Sequence, residues 1–269
     1  MKKLGFIGAG NMAGALIKGL LAGKRYGAQD MVTSDTATAQ LKKIKKMYNV
    51  DGMGDNRALV REVETVILAV KPQILDEVLA DIRPEVTKNK VFISIAAGVP
   101  LCRLENGLGG AARVIRVMPN TPALLGKGIA VVVRGSKAKA ADEKLTLSIF
   151  RGVGEALAVK DEALMDPVTG LSGSGPAYVY LFAEALIQGG VHAGLCQAVA
   201  TRLTYQTIEG AIAMLKETGH SPKELRDMVT SPGGTTLAGL SRLAEGNFVE
   251  TVSAAVHAAT RRSQELGKR

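Results

Sequence analysis

A glycine-rich run near the start of the chain has residue types and spacing suited to binding a pyrophosphate. The run follows the apolar stretch LGFI and consists of Gly8, Ala9, Gly10, Asn11, Met12 and Ala13. In the pattern G-x-G-x-x-G/A the first glycine makes a tight turn, the second admits the pyrophosphate, and the small third residue allows close helix packing. A helix that begins here also favours an anion at its N-terminus. The sequence predicts a dinucleotide site, and a plain structural turn is the alternative.

The residues after the second predicted strand bear on which dinucleotide binds. Asp35 stands where a carboxylate would bind the ribose hydroxyls of NAD. Ser34 and the lysines of the 42–46 segment, by contrast, favour a 2′-phosphate. The pattern is mixed, and it predicts NADPH as the cofactor with NADH as an alternative.

Other strand ends should face the same crevice, because ligands of doubly wound sheets bind at the carboxyl ends of the strands. The segments AVKP and AAG are predicted to line the cofactor through Ala69, Val70, Lys71, Pro72, Ala96, Ala97 and Gly98. The stretch RVMPNTPA ends the next strand, and its two prolines restrict the loop to few conformations. We expect Met118 and Asn120 in this loop to form a rigid wall for the nicotinamide.

A second loop, SPGGTT, precedes an amphipathic helix predicted to start near Leu237. Gly233 and Gly234 expose backbone amides, and Thr235 and Thr236 bring hydroxyls that can cap the helix. With Ser231 they form a candidate nest for a carboxylate, and a plain capped turn is the alternative. The glycines of the segment LSGSGPAY, which enters a long apolar helix, are predicted to allow close packing between subunits, and close approach to a ligand is the alternative.

The residue types and motifs that are absent restrict the kinds of reaction that the protein can catalyse. His192, His220 and His257 show no metal-ligand spacing, and no G-x-S-x-G motif occurs, so a metal site and a hydrolase are not indicated. Oxidation of an alcohol needs a base such as lysine, yet no lysine occurs between Lys160 and Lys216. An imine substrate, which needs no strong base, fits this pattern better.

The first part of the chain alternates apolar strands with helical segments. The six predicted strands are LGFIGAG, MVTSD, TVILAV, KVFISIAAG, RVIRVMPN and GIAVVVRG, and two of the predicted helices are Met12–Leu21 and Gln73–Ile82. Nearly continuous apolar strands indicate a parallel sheet covered on both faces. The fold class predicted is therefore α/β, with a Rossmann-like, doubly wound, mostly parallel sheet in residues 1–162.

Residues 163–269 are predicted to form an all-helical dimerisation and substrate-binding domain. Residues 176–200 read as one apolar helix with a narrow polar stripe at Glu184, Gln188 and His192. A half-chain of this size can hardly bury such a helix alone, which predicts a homodimer. The stripe and Gly189–Gly190 weigh against the membrane alternative.

Composition and charge restrict the remaining classes of ligand and cellular location. The net charge is +9, with only 4% aromatic residues, so an anionic ligand is favoured over nucleic acid, which would need interleaved stacking residues. No signal segment precedes the first strand and no apolar run reaches about 18 residues, which predicts a cytoplasmic protein without a membrane span. Cys102 and Cys196 are predicted to be buried free thiols.

The motifs taken together resemble those of the pyrroline-5-carboxylate reductase family. FIGAGNMA, AVKP, SIAAGV, RVMPNTPA, LSGSGPAYVY and DMVTSPGGTT occur in this order across essentially the full chain. The resemblance implies NAD(P)H-dependent reduction of 1-pyrroline-5-carboxylate to L-proline, the last step of proline biosynthesis. It also implies an interleaved helical domain in a dimer, which in many members assembles into a decamer. Another cyclic imine or ketimine reductase, and a non-catalytic NADP-binding sensor, are the alternatives.

The resemblance also implies roles for individual residues. It adds Asn56 to the cofactor contacts and Glu162 to the substrate contacts. Amides of the Gly233–Thr235 segment would hold the substrate carboxylate, Thr236 would hydrogen-bond the ring nitrogen or a water beside it, and Glu162 would offset the positive iminium. Several family members have alanine in place of Thr235, which points to a backbone role there. Thr236 and Glu162 are thus the candidate catalytic residues.

Overall fold

A computed structural model describes residues 2–268 of the chain. Its contacts divide the chain into two compact units. The first contains the chain up to Ser174 together with the residues from His257 onward, and the second is Gly175–Val256. This division follows spatial contacts, so the domain boundary predicted between residues 162 and 163 stays a prediction.

An eight-stranded sheet forms the centre of the first unit. Its strands are β1 (Lys2–Ile7), β2 (Met31–Ser34), β3 (Asp51–Met53), β4 (Val63–Leu68), β5 (Val91–Ser94), β6 (Arg113–Met118), β7 (Gly128–Arg134) and β8 (Gly154–Ala158). They lie in the order β3-β2-β1-β4-β5-β6-β7-β8, and all neighbouring strands are parallel except β6 and β7. The α/β class and the mostly parallel sheet are therefore confirmed.

The helices of the first unit cover both faces of this sheet. They are α1 (Asn11–Ala22), α2 (Thr38–Tyr48), α3 (Asn56–Glu62), α4 (Leu75–Ile82), α5 (Leu101–Gly107), α6 (Ala140–Phe150) and the short α7 (Met165–Val168). Two apolar clusters fill the space between helices and sheet. One joins Leu16 and Ile17 of α1 to the sheet, and the other joins Leu59 and Leu79 to it. This packing explains why the central strands are apolar along their whole length.

Strand register brings the predicted cofactor residues to one edge of the sheet. Ile7 is paired with Ser34 on one side and with Leu68 on the other. Leu68 is paired in turn with Ser94. The residues that follow these strands therefore begin at one level, at the carboxyl edge. The strand order reverses at β1, which is where a doubly wound sheet opens a crevice.

The second unit is helical. Its helices are α8 (Gly175–His192), α9 (Gln197–Glu217), α10 (Pro222–Met228), α11 (Thr235–Glu245) and the first part of α12 (Phe248–Gly267). The single helix predicted over residues 176–200 is wrong, because the chain turns between α8 and α9, where Gly194 has a φ of +103°. Close packing of these two helices is visible at Gly190, where a Cβ would lie 3.2 Å from Ala200 Cβ.

Apolar side chains remain exposed on the second unit when the chain is taken alone. They include Val179, Tyr180, Leu181, Phe182, Leu186, Val199, Leu203 and Ile212.

The burial predicted for the thiols is wrong, since Cys102 and Cys196 are free and exposed. Across residues 2–268, no helix has the length and apolar character to cross a bilayer, and no three side chains of His, Cys, Asp or Glu are grouped as metal ligands.

Candidate active site

The glycine loop after β1 has a backbone that only glycine fits. Gly8 has a φ of +98°, and a Cβ there would lie 2.6 Å from the carbonyl oxygen of Ala69. A Cβ on Gly10 would meet nothing within 4 Å, so the space outside this residue is open. Gly10 is also the N-cap of α1 and brings no side-chain acceptor to its first-turn amides. These amides can therefore bind an anionic group that approaches the loop.

The carboxylate of Asp35 ties the end of β2 to this loop. Its Oδ2 accepts a hydrogen bond from the Ala9 amide at 2.8 Å, and its Oδ1 accepts one from the Ala37 amide at 2.8 Å. Beside it, the Ser34 hydroxyl donates to Oδ1 of Asn56 at 2.7 Å. The structure thus brings three predicted cofactor residues together, and it uses Asp35 to fix the backbone.

The lysines of α2 point to two different sides of the helix. Lys43 lines a crevice of about 190 Å³ together with Gly10, Asn11 and Lys18. Lys42, Lys45 and Lys46 line a separate hollow, where Lys45 Nζ donates to Asp51 Oδ1 at 2.8 Å. Of this lysine cluster, Lys43 therefore lies beside the glycine loop. Met12, which follows the loop in α1, is half-buried.

The loop after β4 lies next to the glycine loop, and the loop after β5 follows the next strand at the same edge of the sheet. The Ala69 amide donates to the Ile7 carbonyl at 2.8 Å, which fixes the start of the segment that continues through Val70, Lys71 and Pro72. After β5, the Ala96 amide donates to Ser94 Oγ at 3.3 Å. Ala96 and Gly98 are buried and Ala97 is half-buried, so this segment presents small groups at the rim.

The loop after β6 is held by both ends of one amide side chain. Asn120 Nδ2 donates to the Ser172 carbonyl at 3.2 Å, and Asn120 Oδ1 accepts from the Ile129 amide at 3.0 Å. Met118 packs against Gly173, where a Cβ would clash with the Met118 methyl group. Ser172 and Gly173 belong to a π-helical turn, Thr169–Gly173. The RVMPNTPA loop is thus fixed against the LSGSG segment of the same chain, and the close packing between subunits predicted for that segment stays a prediction.

A buried cation beneath these loops was not anticipated from the sequence. Arg116 of β6 is 5% exposed, and its Nη1 donates to Glu162 Oε1 at 2.7 Å. Its Nη2 lies 3.9 Å from Asp166 Oδ1. The same Oε1 of Glu162 accepts from the Leu101 amide at 2.7 Å. An arginine inside the apolar run RVIRVM is the signal that could have indicated this pair, because a buried charge requires a partner.

The SPGGTT loop leads into α11 in the second unit. Gly233 has a φ of +70°, and the Gly234 amide donates to the Ser231 carbonyl at 3.0 Å. Gly234 is the N-cap, so the expectation that a threonine hydroxyl caps this helix is wrong. Thr235 and Thr236 are instead its first two residues. Their amides have no side-chain cap and can bind an anion.

Two family models match separate parts of this chain, and relatives match it along its whole length. Residues 162–266 match the model for pyrroline-5-carboxylate reductase dimerisation, and residues 3–98 match the model described as NADP oxidoreductase, coenzyme F420-dependent. The pyrroline-5-carboxylate reductase of Methanosarcina acetivorans is 43% identical, over 100% of this chain and 99% of that protein. The chain belongs to the pyrroline-5-carboxylate reductase family.

Solved structures of pyrroline-5-carboxylate reductases agree with this assignment. The Coxiella burnetii enzyme superposes with a TM-score of 0.92 at 36% identity, over 100% of this chain and 99% of that one. The Plasmodium falciparum pyrroline carboxylate reductase, solved with NADP bound, superposes with a TM-score of 0.89 at 35% identity, over 99% of this chain and 98% of that one. The resemblance, the enzyme class of an oxidoreductase acting on a C=N bond, and a homo-oligomer built on the dimerisation region are confirmed.

Proposed function

We propose that this chain reduces 1-pyrroline-5-carboxylate to L-proline with NADPH, as the last step of proline biosynthesis. The observation that carries the proposal is full-length membership of the pyrroline-5-carboxylate reductase family, with 43% identity to one relative over 100% of the chain. The geometry agrees with it, because a glycine loop, a helix N-terminus and four strand ends lie at one edge of the sheet.

The cofactor, when bound, supplies a hydride to the C=N carbon, and a proton added to the ring nitrogen completes the amine. Amides at the start of α1 would hold its pyrophosphate, and the open space at Gly10 leaves room for close approach to the backbone. Asp35 already accepts two backbone hydrogen bonds, so it holds the loop in place in addition to any contact with a ribose. This arrangement, with Lys43 beside the loop, supports NADPH as the cofactor and leaves NADH usable.

The substrate carboxylate would bind the first turn of α11. The amides of Thr235 and Thr236 have no side-chain cap, and the positive φ of Gly233 turns the chain sharply before them. Thr236 is half-buried and would hydrogen-bond the ring nitrogen or an adjacent water. Such contacts orient the imine carbon and stabilise charge, which is how an enzyme without a strong base lowers the barrier.

Glu162 is proposed to act near the substrate through its pair with Arg116. Because Arg116 neutralises much of the Glu162 charge, Glu162 stabilises a positive iminium less than a free carboxylate would.

The homodimer, its further assembly into a decamer and the cytoplasmic location also stay predictions. The exposed apolar side chains of α8 and α9 support the dimer, and sedimentation of the purified protein would measure the assembly.

Consumption of NADPH at 340 nm with two cyclic imines tests the proposed function. We expect kcat/KM for 1-pyrroline-5-carboxylate to exceed that for the six-membered homologue, 1-piperideine-6-carboxylate, by at least about tenfold, since one methylene in a fitted pocket is worth that much. A preference for the six-membered ring would favour the other imine reductases. Cofactor binding without turnover of either imine would favour the sensor.

A further inference from the structure

The end of α12 packs against the loop that follows β5. Gly98 has a φ of +72°, and a Cβ on it would lie 3.0 Å from Leu266 Cβ. A Cβ on Gly267 would lie 3.1 Å from the Gly98 carbonyl oxygen. Helix and loop thus approach each other at two glycines, inside the first unit. This loop includes Ala96–Gly98, the segment predicted to line the nicotinamide.

A chain of polar contacts connects the same helix end to the other end of that loop. The Ser263 hydroxyl donates to Asp166 Oδ1 at 2.6 Å, and Ser263 is 3% exposed. The same Oδ1 lies 3.9 Å from the guanidinium of Arg116, which pairs with Glu162. Glu162 in turn accepts from the Leu101 amide, three residues beyond Gly98. The loop is therefore held at Gly98 by packing and at Leu101 by hydrogen bonding.

Close packing does not fix this loop on its remaining side. A cavity of about 460 Å³ lies there, lined by Gly98, Pro100, Arg116, Asp166, Gln264 and Lys268. Apolar neighbours that would lock the loop through shape are missing from this lining. Ala96, Val99 and Leu101 are buried in an apolar cluster of the first unit, whereas on the cavity side the loop is held by specific contacts that include the end of α12.

We infer that Ser263 and Leu266, at the end of α12, are positioning residues for the nicotinamide. They act through Asp166 and Gly98 on the loop that the ring lies against, and they touch neither cofactor nor substrate. The inference rests on the proposed cofactor and deepens it, because it assigns to the last turns of the chain a role in orienting the reactive ring. The adenosine end of the cofactor would bind beside Ser34 and Asp35 after β2, whereas Ser263 and Leu266 act on Asp166 and on the loop after β5.

Calorimetric titration of Ser263→Ala with two ligands tests this inference. NADPH carries the nicotinamide, whereas adenosine 2′,5′-bisphosphate carries only the other end. We expect the Kd for NADPH to rise about three- to tenfold, the scale of one hydrogen bond, and the Kd for adenosine 2′,5′-bisphosphate to stay within about twofold. Ser253→Ala, an exposed serine earlier in the same helix, is the matched control and should leave both unchanged. Unchanged binding of both ligands, or equal weakening of both, would overturn the inference.

Two further variants keep the test decisive. Leu266→Ala shortens the side chain that packs on Gly98 and removes no buried hydroxyl. It therefore reports on the same loop even if Ser263→Ala fails to fold. Ser263→Thr retains the hydroxyl and should restore NADPH affinity at least in part; no recovery would count against the hydrogen bond to Asp166. All of these titrations omit the imine. Wild-type protein that binds NADPH but does not oxidise it with 1-pyrroline-5-carboxylate would therefore contradict the proposed function and leave this inference standing.

Discussion

Arg116 and Glu162 form an ion pair beneath the rim of the sheet, with 2.7 Å between Nη1 and Oε1. The arginine side chain is 6% exposed and the glutamate side chain 32%. The pair connects strand β6 to the segment that follows β8, and through the Leu101 amide it also reaches the start of α5. A residue assigned to the substrate from the sequence is thus also part of the scaffold of the first unit.

Replacing Glu162 with glutamine should destabilise the protein. The change removes the nearer of the two carboxylates beside the Arg116 guanidinium and leaves that of Asp166, 3.9 Å away. We expect the free energy of unfolding to fall by about 1–3 kcal/mol, measured by urea denaturation, since a buried charge that loses its partner is costly. Glu62→Gln, which removes an exposed charge, is the control. Unchanged stability together with a large loss of kcat would place Glu162 at the substrate alone.

Thr236→Ala should lower turnover and spare cofactor binding. The substitution keeps the backbone amide in the first turn of α11 and removes the hydroxyl. We expect kcat to drop by about 10–100-fold, the effect of one lost hydrogen bond of about 1.5–3 kcal/mol. Thr235→Ala is the matched control and should change kcat little, because that position is proposed to act through its backbone. Equal losses in both variants would argue against a specific role for the Thr236 hydroxyl.

Lys43→Gln should weaken NADPH binding more than NADH binding. Lys43 lines the crevice beside Gly10, where its charge can act on a 2′-phosphate. We expect the Kd for NADPH to rise about fivefold at low salt, and less at high salt because screening weakens the interaction. Lys42→Gln changes the same charge on the other side of α2 and serves as the control. Identical effects of the two substitutions would mean that only the net charge of the helix matters.

The Asp76–Arg103 pair should contribute stability that is lost in acid. Arg103 hydrogen-bonds the Asp76 carboxylate, which lowers its pKa below the usual 3.8. A carboxyl group with a lowered pKa stabilises the fold above its unfolded value and loses that contribution as pH falls through its folded value. Because Asp76 is 60% exposed, we expect Asp76→Asn to cost less than about 1 kcal/mol at pH 7. Urea unfolding at pH 7 and pH 2 should show the difference disappear at the lower pH; a difference that persists would contradict the ion-pair account.

The central strands were predictable because burial on both faces leaves a continuous apolar run. Strands β3 and β8 were missed for the opposite reason. β3 is three residues long and mostly exposed, and β8 is largely exposed as well, so neither carries a distinct pattern. Both lie at the edges of the sheet, where pairing with a neighbour supplies what the side chains do not.

Side-chain partners at the site could be predicted only in part. The glycine spacing indicated the loop, because the positive φ of Gly8 leaves few alternatives. The dual use of Asp35 and the burial of Arg116 depend on contacts with residues distant in sequence, which spacing does not reveal. The turn at Gly194 was missed because apolar periodicity continues on either side of it.

Transfer of deuterium from labelled NADPH tests the central claim most directly. With deuterium at C4 on the transferred face of the nicotinamide, and 1-pyrroline-5-carboxylate as substrate, the account predicts one deuterium at C5 of L-proline for each NADPH consumed, read by mass spectrometry. The hydride must arrive at the former C=N carbon and at no other position. Oxidation of NADPH without labelled proline, or proline formed without the label on either face of the cofactor, would contradict it.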